Sequence, residues 1–215
     1  VLFRSEQYEE ALKLAGKLLL QGKILAVKGI GGFHLCCDAS NDEAVALLRS
    51  RKKRPNRPLA VMSFSIDDVK EFAFVSEAEE KMLKSPEAPI VILAKKRDYH
   101  LAENVAPNMT TVGVMLPYSP LHHLLLREAD GRTLVMTSAN VSGLPIVYKN
   151  EECRKSVGEI ADFYLMHNRD ILHPVDDSVV QIAKGTTDFF RKSRGYVPDA
   201  LFSKNNVDGI VAFGG

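Results

Sequence analysis

Thr133 to Pro145 reads TLVMTSANVSGLP. Thr-Leu-Val-Met-Thr is a short, β-rich apolar run, and Ser138, Ala139, Asn140, Val141, Ser142 and Gly143 then break it with turn formers and small hydrogen-bonding side chains. A strand ending in such a loop offers hydroxyl, amide and backbone donors at its carboxyl end, where open α/β sheets bind ligands. A phosphate or nucleotide is the matching ligand class. From this stretch alone, a tight turn whose Ser and Asn satisfy their own backbone is the alternative. A second cluster bears on the choice: Arg49 to Pro58, RSRKKRPNRP, packs six cations and two prolines into ten residues.

With 215 residues, 46% of them hydrophobic and 26% charged, the chain has the material for a full core in one large domain, or in one domain with an appendage. Lys plus Arg total 28 against 27 for Asp plus Glu, a net charge of +1, which argues against a protein that coats nucleic acid. Any anion site must therefore be a local cluster. Cys36, Cys37 and Cys153 supply neither a disulfide framework nor a CxxC knuckle, so a reducing compartment and no cysteine-ligated metal are expected. No apolar stretch approaches the about 18 to 20 residues that span a bilayer, and no leader pattern opens the chain, which together place it in the cytoplasm without membrane contact. The chain starts at Val1 and ends in IVAFGG, and both ends are expected to be cut from a longer polypeptide.

Outward from the central stretch, the spacing predicts an amphipathic helix over Glu6 to Gln21 and a buried strand at Lys23 to Val27. Gly29, Gly31 and Gly32 follow, permitting either close approach to a ligand or a sharp bend, and no GxGxxG opens a helix there. Ser40 and Asn41 are candidate caps for a helix whose tail bears Arg51, Lys52 and Lys53, cations that the helix dipole also favours at that end. Arg54-Pro55 and Arg57-Pro58 hold their cations on a stiff loop suited to phosphate. Helices are expected at Ile66 to Phe72, Ser76 to Lys84, after Ser119, and at Asn150 to Ile160. Strands are expected at Pro89 to Ala94, Thr111 to Leu116 and Asp162 to Met166, with Lys95, Lys96 and Arg97 facing water. His122 and His123 point about 100° apart on their helix, so a shared metal is not expected. Asp176 and Asp177 could serve Mg²⁺ or cap a turn.

This interleaving predicts an α/β domain with a mixed, twisted sheet and not a doubly wound parallel one. Three clusters fall at strand ends: Lys52 to Arg57, Ser138 to Asn140, and Ser178 with Arg191 to Arg194. Converged, they make a concave cationic pocket for a triphosphate. No Ser-His-Asp arrangement or reactive thiol is suggested, so electrostatic positioning is the expected catalytic strategy.

The stretches KGIGGFHLCCDASNDEAVALLRSRKKRPNRPLAVM, TVGVMLPYSPLHHLLL, LVMTSANVSGLPI, DDSVV and RGYVP occur here in one order. Together they resemble the YrdC-like domain of the hydrogenase-maturation carbamoyltransferases, the HypF family, from about residue 8 to 199. The resemblance implies a YrdC/RibB-like twisted mixed open sheet flanked by helices around a central cationic cleft. It divides the chain into a nucleotide-binding domain over 1–199 and, over 200–215, a linker with the start of an actin-like carbamoyl-transfer domain. The implied reaction condenses carbamate, made from carbamoyl phosphate by an acylphosphatase domain, with ATP to give carbamoyl-adenylate and pyrophosphate. Mg²⁺ would accompany the phosphates. The adjacent domains of the same polypeptide would pass the carbamoyl group to the partner HypE, on the way to the cyanide ligands of [NiFe] hydrogenase.

Residue by residue, Lys52 and Arg54 match the family's K-x-R-P element and would neutralise the carbamoyl oxygen and phosphates. Ser138 and Asn140 match its S-x-N element and would bind the triphosphate, with Ser178 at a strand start lining the nucleotide. Arg191 or Arg194 would reach the α-phosphate, Arg194 standing with Lys52 and Arg54 as the catalytic set. Lys28, Gly31 and His34 stand where the related threonylcarbamoyl-adenylate synthases of tRNA modification carry hydroxyls that seat threonine, an exchange that favours a small carbamate. His173-Pro174 departs from the pattern, which has arginine there. Threonylcarbamoyl-adenylate synthesis and a non-catalytic double-stranded RNA-binding module are the alternatives, the latter weakened by the near-neutral charge.

Overall fold

The computed structural model describes residues 5–141 and 143–198, so the expected segment over 200–215 lies outside the described residues. Helix α1 (Ser5–Leu20) buries Leu12, Ala15 and Leu19 along one face. Strands β1 (Leu25–Lys28) and β2 (Phe33–Asp38) pair antiparallel across the glycine-rich loop. Of the two candidate caps, Asn41 opens α2 (Asp42–Lys52) by accepting from the Ala44 N–H, while Ser40 donates to the Asp38 carboxylate.

Strand β3 (Ala60–Met62) leads to α3 (Ile66–Phe72) and α4 (Glu77–Leu83), which are opened by capping boxes pairing Ser65 with Asp68 and Ser76 with Glu79. Strands β4 (Ile90–Ala94) and β5 (Thr111–Met115) flank a loop with a single 3₁₀ turn at Glu103–Val105. Helix α5 (Pro120–Glu128), capped by Ser119, precedes β6 (Leu134–Ser138), the apolar run of the central stretch. Helix α6 (Asn150–Val157), β7 (Phe163–Leu165), β8 (Val179–Ala183) and β9 (Thr186–Arg191) complete the described chain.

The strands form one nine-stranded sheet in the order β7-β1-β2-β6-β3-β5-β4-β8-β9. Three neighbouring pairs, β1/β7, β3/β5 and β4/β8, are parallel and the others antiparallel, so the sheet is mixed as the sequence predicts. Alternation along the strands gives it two faces. One face, with Ala26, Leu35, Val61, Val91 and Val135, is closed by α2, α3, α4 and α6. The other, with Leu25, Val27, Cys36, Met62 and Met136, packs against α1 and α5, and α1 lies toward its β7-β2 side. A cleft opens on this second face over β3, β5, β4 and β8.

Lys95 differs from expectation. Its side chain is 9% exposed, its ammonium donates to the Ala106 carbonyl, and the charge lies 4.4 Å from the centre of the Tyr99 ring. All three cysteines are buried free thiols. Among the described residues no helix is long and apolar enough to cross a membrane, and no group of three or more His, Cys, Asp or Glu could hold a metal.

Candidate active-site cleft

The cleft has a volume of about 470 Å³, in the range of small-molecule sites. Its floor is apolar: Ala60, Ile90, Ile92, Gly113 and Val179 come from four adjacent strands. A Cβ on Gly113 would stand 2.9 Å from the Ile90 Cγ2, so the missing side chain keeps this floor flat. The rim is polar, with Thr137 and Ser138 at the carboxyl end of β6, Arg54, Asp176, and Arg191 at the end of β9.

Arg54 is held by more than its prolines. The buried Arg49 guanidinium on α2 donates to the carbonyls of Arg54 (2.7 Å), Pro55 (3.2 Å) and Arg57 (3.0 Å), which fixes the loop from within. Among the described residues the Arg54 guanidinium donates only to the Pro58 carbonyl, at 3.1 Å, and its buried Nε has no partner. Burial, then the charges of Arg57 and Arg191, lower its pKa. Among the described residues no carboxylate pairs with it, and Arg191 has the distant Asp176 carboxylate, at 3.9 Å, and the Asp177 carbonyl, at 3.4 Å. Two arginines thus crowd one rim with little to offset them, an arrangement that a polyanion relieves.

Lys52, expected at the cleft rim, is instead 1% exposed. It is the last residue of α2, and its ammonium donates to the Ser138 carbonyl (2.6 Å), the Asn140 carbonyl (2.7 Å) and the Asn140 Oδ1 (2.8 Å). All three of its protons are engaged. Burial, then Arg54, brings its pKa down to about 8, while the three oxygens favour the ammonium. Asn140 is also committed: Oδ1 accepts from the Ser138 hydroxyl at 2.9 Å, and its amide donates to the Leu144 carbonyl. Lys52 therefore shapes the turn from behind while Ser138 faces the cleft. Lys52→Met is expected to cost about 2 kcal/mol of stability by stripping donors from these oxygens, measured by urea unfolding; an unchanged midpoint would contradict this role.

Asp177 anchors a second internal network. Its carboxylate accepts from His34 Nε2 at 2.8 Å and from Arg194 Nη2 at 2.9 Å. Burial alone would raise its pKa, but His34 and Arg194 hold it well below the usual carboxylate range. Arg194 also donates to the Glu87 and Ala88 carbonyls and stacks 3.7 Å from the centre of the Tyr118 ring. His122 lies edge-on to that ring at 4.5 Å and is neutral, since burial, then His34, brings its pKa down to about 3. Ser178 is fully buried, accepting from the Ser193 N–H and donating to the Arg194 carbonyl. Of the two candidate downstream arginines, Arg191 lines the cleft while Arg194 is turned to Asp177, and Ser178 braces the turn that carries Arg194. Both Asp176 and Asp177 line the cleft; Asp177 is committed to Arg194 and His34, which leaves Asp176 as the carboxylate of the pair with its charge less engaged.

Lys28 and His34 do not share one seat. The register pairs Lys28 with Phe33 and Val27 with His34, so strand alternation sends the two polar side chains to opposite faces. Lys28, 2% exposed, donates to the His167 carbonyl at 3.2 Å. Gly31 serves close packing within the chain: a Cβ there would lie 2.3 Å from the Val175 carbonyl oxygen, and the Val175 N–H donates to the Gly31 carbonyl. Gly31→Ala is expected to cost about 1–3 kcal/mol, because the Val175 segment that leads into Asp177 must move. Unchanged thermal unfolding would contradict it. Arg49, Tyr118, His122 and Asp177 are the site-shaping residues whose roles the sequence reading missed. Arg49 lay inside the basic cluster, the one signal that pointed to it.

Residues 17–193 match the Sua5_yciO_yrdC family model, described as Telomere recombination. A carbamoyltransferase HypF from Synechocystis sp. is 46% identical over 207 residues, covering 96% of this chain and 27% of the relative. The chain thus spans about a quarter of the length of this curated relative. A solved structure of full-length HypF in a phosphate- and nucleotide-bound form superposes with a TM-score of 0.84 at 49% identity, over 87% of this chain and 29% of that one. A threonylcarbamoyl-AMP synthase from Vibrio parahaemolyticus is 27% identical over 146 residues, 66% of this chain and 78% of the relative.

Proposed function

The chain belongs to the Sua5/YciO/YrdC family, and on that premise we propose that it forms carbamoyl-adenylate from carbamate and ATP within a HypF-type carbamoyltransferase. The observation that carries this reading is the pair of under-neutralised arginines, Arg54 and Arg191, on the rim of an apolar-floored cleft of nucleotide size. A carbamate oxygen attacks the α-phosphorus; the new P–O bond forms as the α–β bridging bond breaks, and pyrophosphate leaves with the electron pair. Negative charge grows on the phosphate oxygens, where the Arg54 and Arg191 guanidiniums stabilise it, joined by the Ser138 hydroxyl once its proton turns from the Asn140 Oδ1 to the phosphate.

Lys52 acts one step back, holding the Ser138–Asn140 turn, and Asp177, itself on the cleft lining, is fixed by Arg194 and His34. Mg²⁺, when bound, neutralises phosphate charge. Asp176, on the cleft lining, is the carboxylate that would hold it. In the longer protein, in the cytoplasm, neighbouring domains supply carbamate and pass the carbamoyl group to HypE for the hydrogenase cyanide ligands.

The test is pyrophosphate release from ATP and Mg²⁺, comparing ammonium bicarbonate, which supplies carbamate, with bicarbonate plus threonine. Release with ammonium bicarbonate alone is expected. Release only with threonine would overturn the carbamate assignment in favour of threonylcarbamoyl-adenylate.

A further inference from the structure

Phe190 is the side chain that the reaction above leaves without a task. It is 66% exposed on β9, an edge strand whose six residues are all exposed, yet it lines the cleft. The neighbouring Phe189 is engaged, its ring 4.8 Å from that of Tyr196 at 76° and near the Lys192 ammonium. Among the described residues no ring packs against Phe190.

The backbone explains how Phe190 reaches the cleft. Pairing between β8 and β9 slips at Val179/Val180, so that Val180 opposes Phe189 but Val179 opposes Arg191. A bulge of this kind re-aims side chains, and here it brings both Phe190 and Arg191 to the cleft instead of sending alternate residues to opposite faces. An aromatic face and a cation therefore stand side by side. The same wall carries Gln181, two residues along β8 from Val179 and so on the same face, where it lines the cleft.

We propose that Phe190 and Gln181 form the nucleobase site of this cleft, Phe190 stacking on the base and Gln181 reading its edge, so that adenine is selected over guanine. The inference rests on the nucleotide reading of the cleft. Stacking on an aromatic face is indifferent to the base, because every base has a π-face. An amide, in contrast, offers one donor and one acceptor, which match the N6 amino group and N7 of adenine but meet two acceptors, O6 and N7, on guanine. The flat floor beside Gly113 and Ala60 leaves room for a planar ring, and Arg191 continues from the base site toward the phosphates.

The experiment measures KM for ATP and GTP in pyrophosphate release, together with inhibition by tripolyphosphate, which has no base. Phe190→Ala is expected to raise KM for ATP about tenfold while kcat and the tripolyphosphate inhibition constant stay unchanged, and Phe190→Tyr is expected to restore KM. Gln181→Leu is expected to shrink the preference for ATP over GTP without weakening tripolyphosphate. Equal weakening of ATP and tripolyphosphate by Phe190→Ala, or an unchanged ATP to GTP ratio in Gln181→Leu, would overturn the base site while leaving the adenylation reading intact. A wild-type protein that tripolyphosphate neither inhibits nor binds would instead remove the nucleotide reading itself.

Discussion

Asp177→Asn is expected to lower the unfolding free energy by about 3–5 kcal/mol, the cost of leaving a buried charge without its partner. The carboxylate is the shared acceptor for His34, whose side chain is 3% exposed, and for Arg194, at 13%. An amide in its place removes the charge that offsets the guanidinium and turns an N–H toward one of two donors. The sign of the pH dependence follows from the depressed pKa. Its contribution is fully present above the unfolded carboxylate value of about 4 and is lost as pH falls through the lower folded value. The gap between wild type and variant should therefore be widest near neutrality and narrow in acid. Denaturant unfolding at several pH values measures it. Adding Arg194→Met to Asp177→Asn should recover part of the loss, because the stranded cation is then gone; a loss under about 1 kcal/mol for the single variant would contradict the network.

Arg54→Ala is expected to do the opposite: to leave stability unchanged or slightly raised while cutting the ATP-dependent rate by about 10²-fold or more. Its guanidinium is desolvated, repelled by Arg57 and Arg191, and among the described residues hydrogen-bonded only to the Pro58 carbonyl, so the fold loses little when it is removed. The loop stays in place because Arg49 holds its carbonyls. Steady-state kinetics beside a thermal melt separate the two effects. Full activity would remove Arg54 from the site, and a collapsed melting temperature would make it a structural residue.

Local chemistry made much of the fold legible. Ser119, Ser65 and Ser76 announce their helices by capping, and the apolar runs of β1, β4, β5 and β6 lie within about a residue or two of where periodicity puts them. Hidden from the sequence was anything set by pairing at long range. The β1/β2 register decides that Lys28 and His34 part to opposite faces, and the shift between β8 and β9 decides that Phe190 joins Arg191 on one. The basic cluster was legible as a cluster but not by role. Helix geometry sends Arg49 and Lys52 inward to cage carbonyls, while Arg54, beyond the left-handed Lys53 cap, reaches the cleft. A cation that fixes a loop and one that faces a ligand carry the same letter.

Mass analysis of the nucleotides after incubation with ATP, Mg²⁺ and ammonium bicarbonate tests the central claim most directly. Carbamoyl-AMP accumulating in step with pyrophosphate is the predicted result. ADP with inorganic phosphate, or ATP left intact, would contradict attack at the α-phosphorus in this cleft.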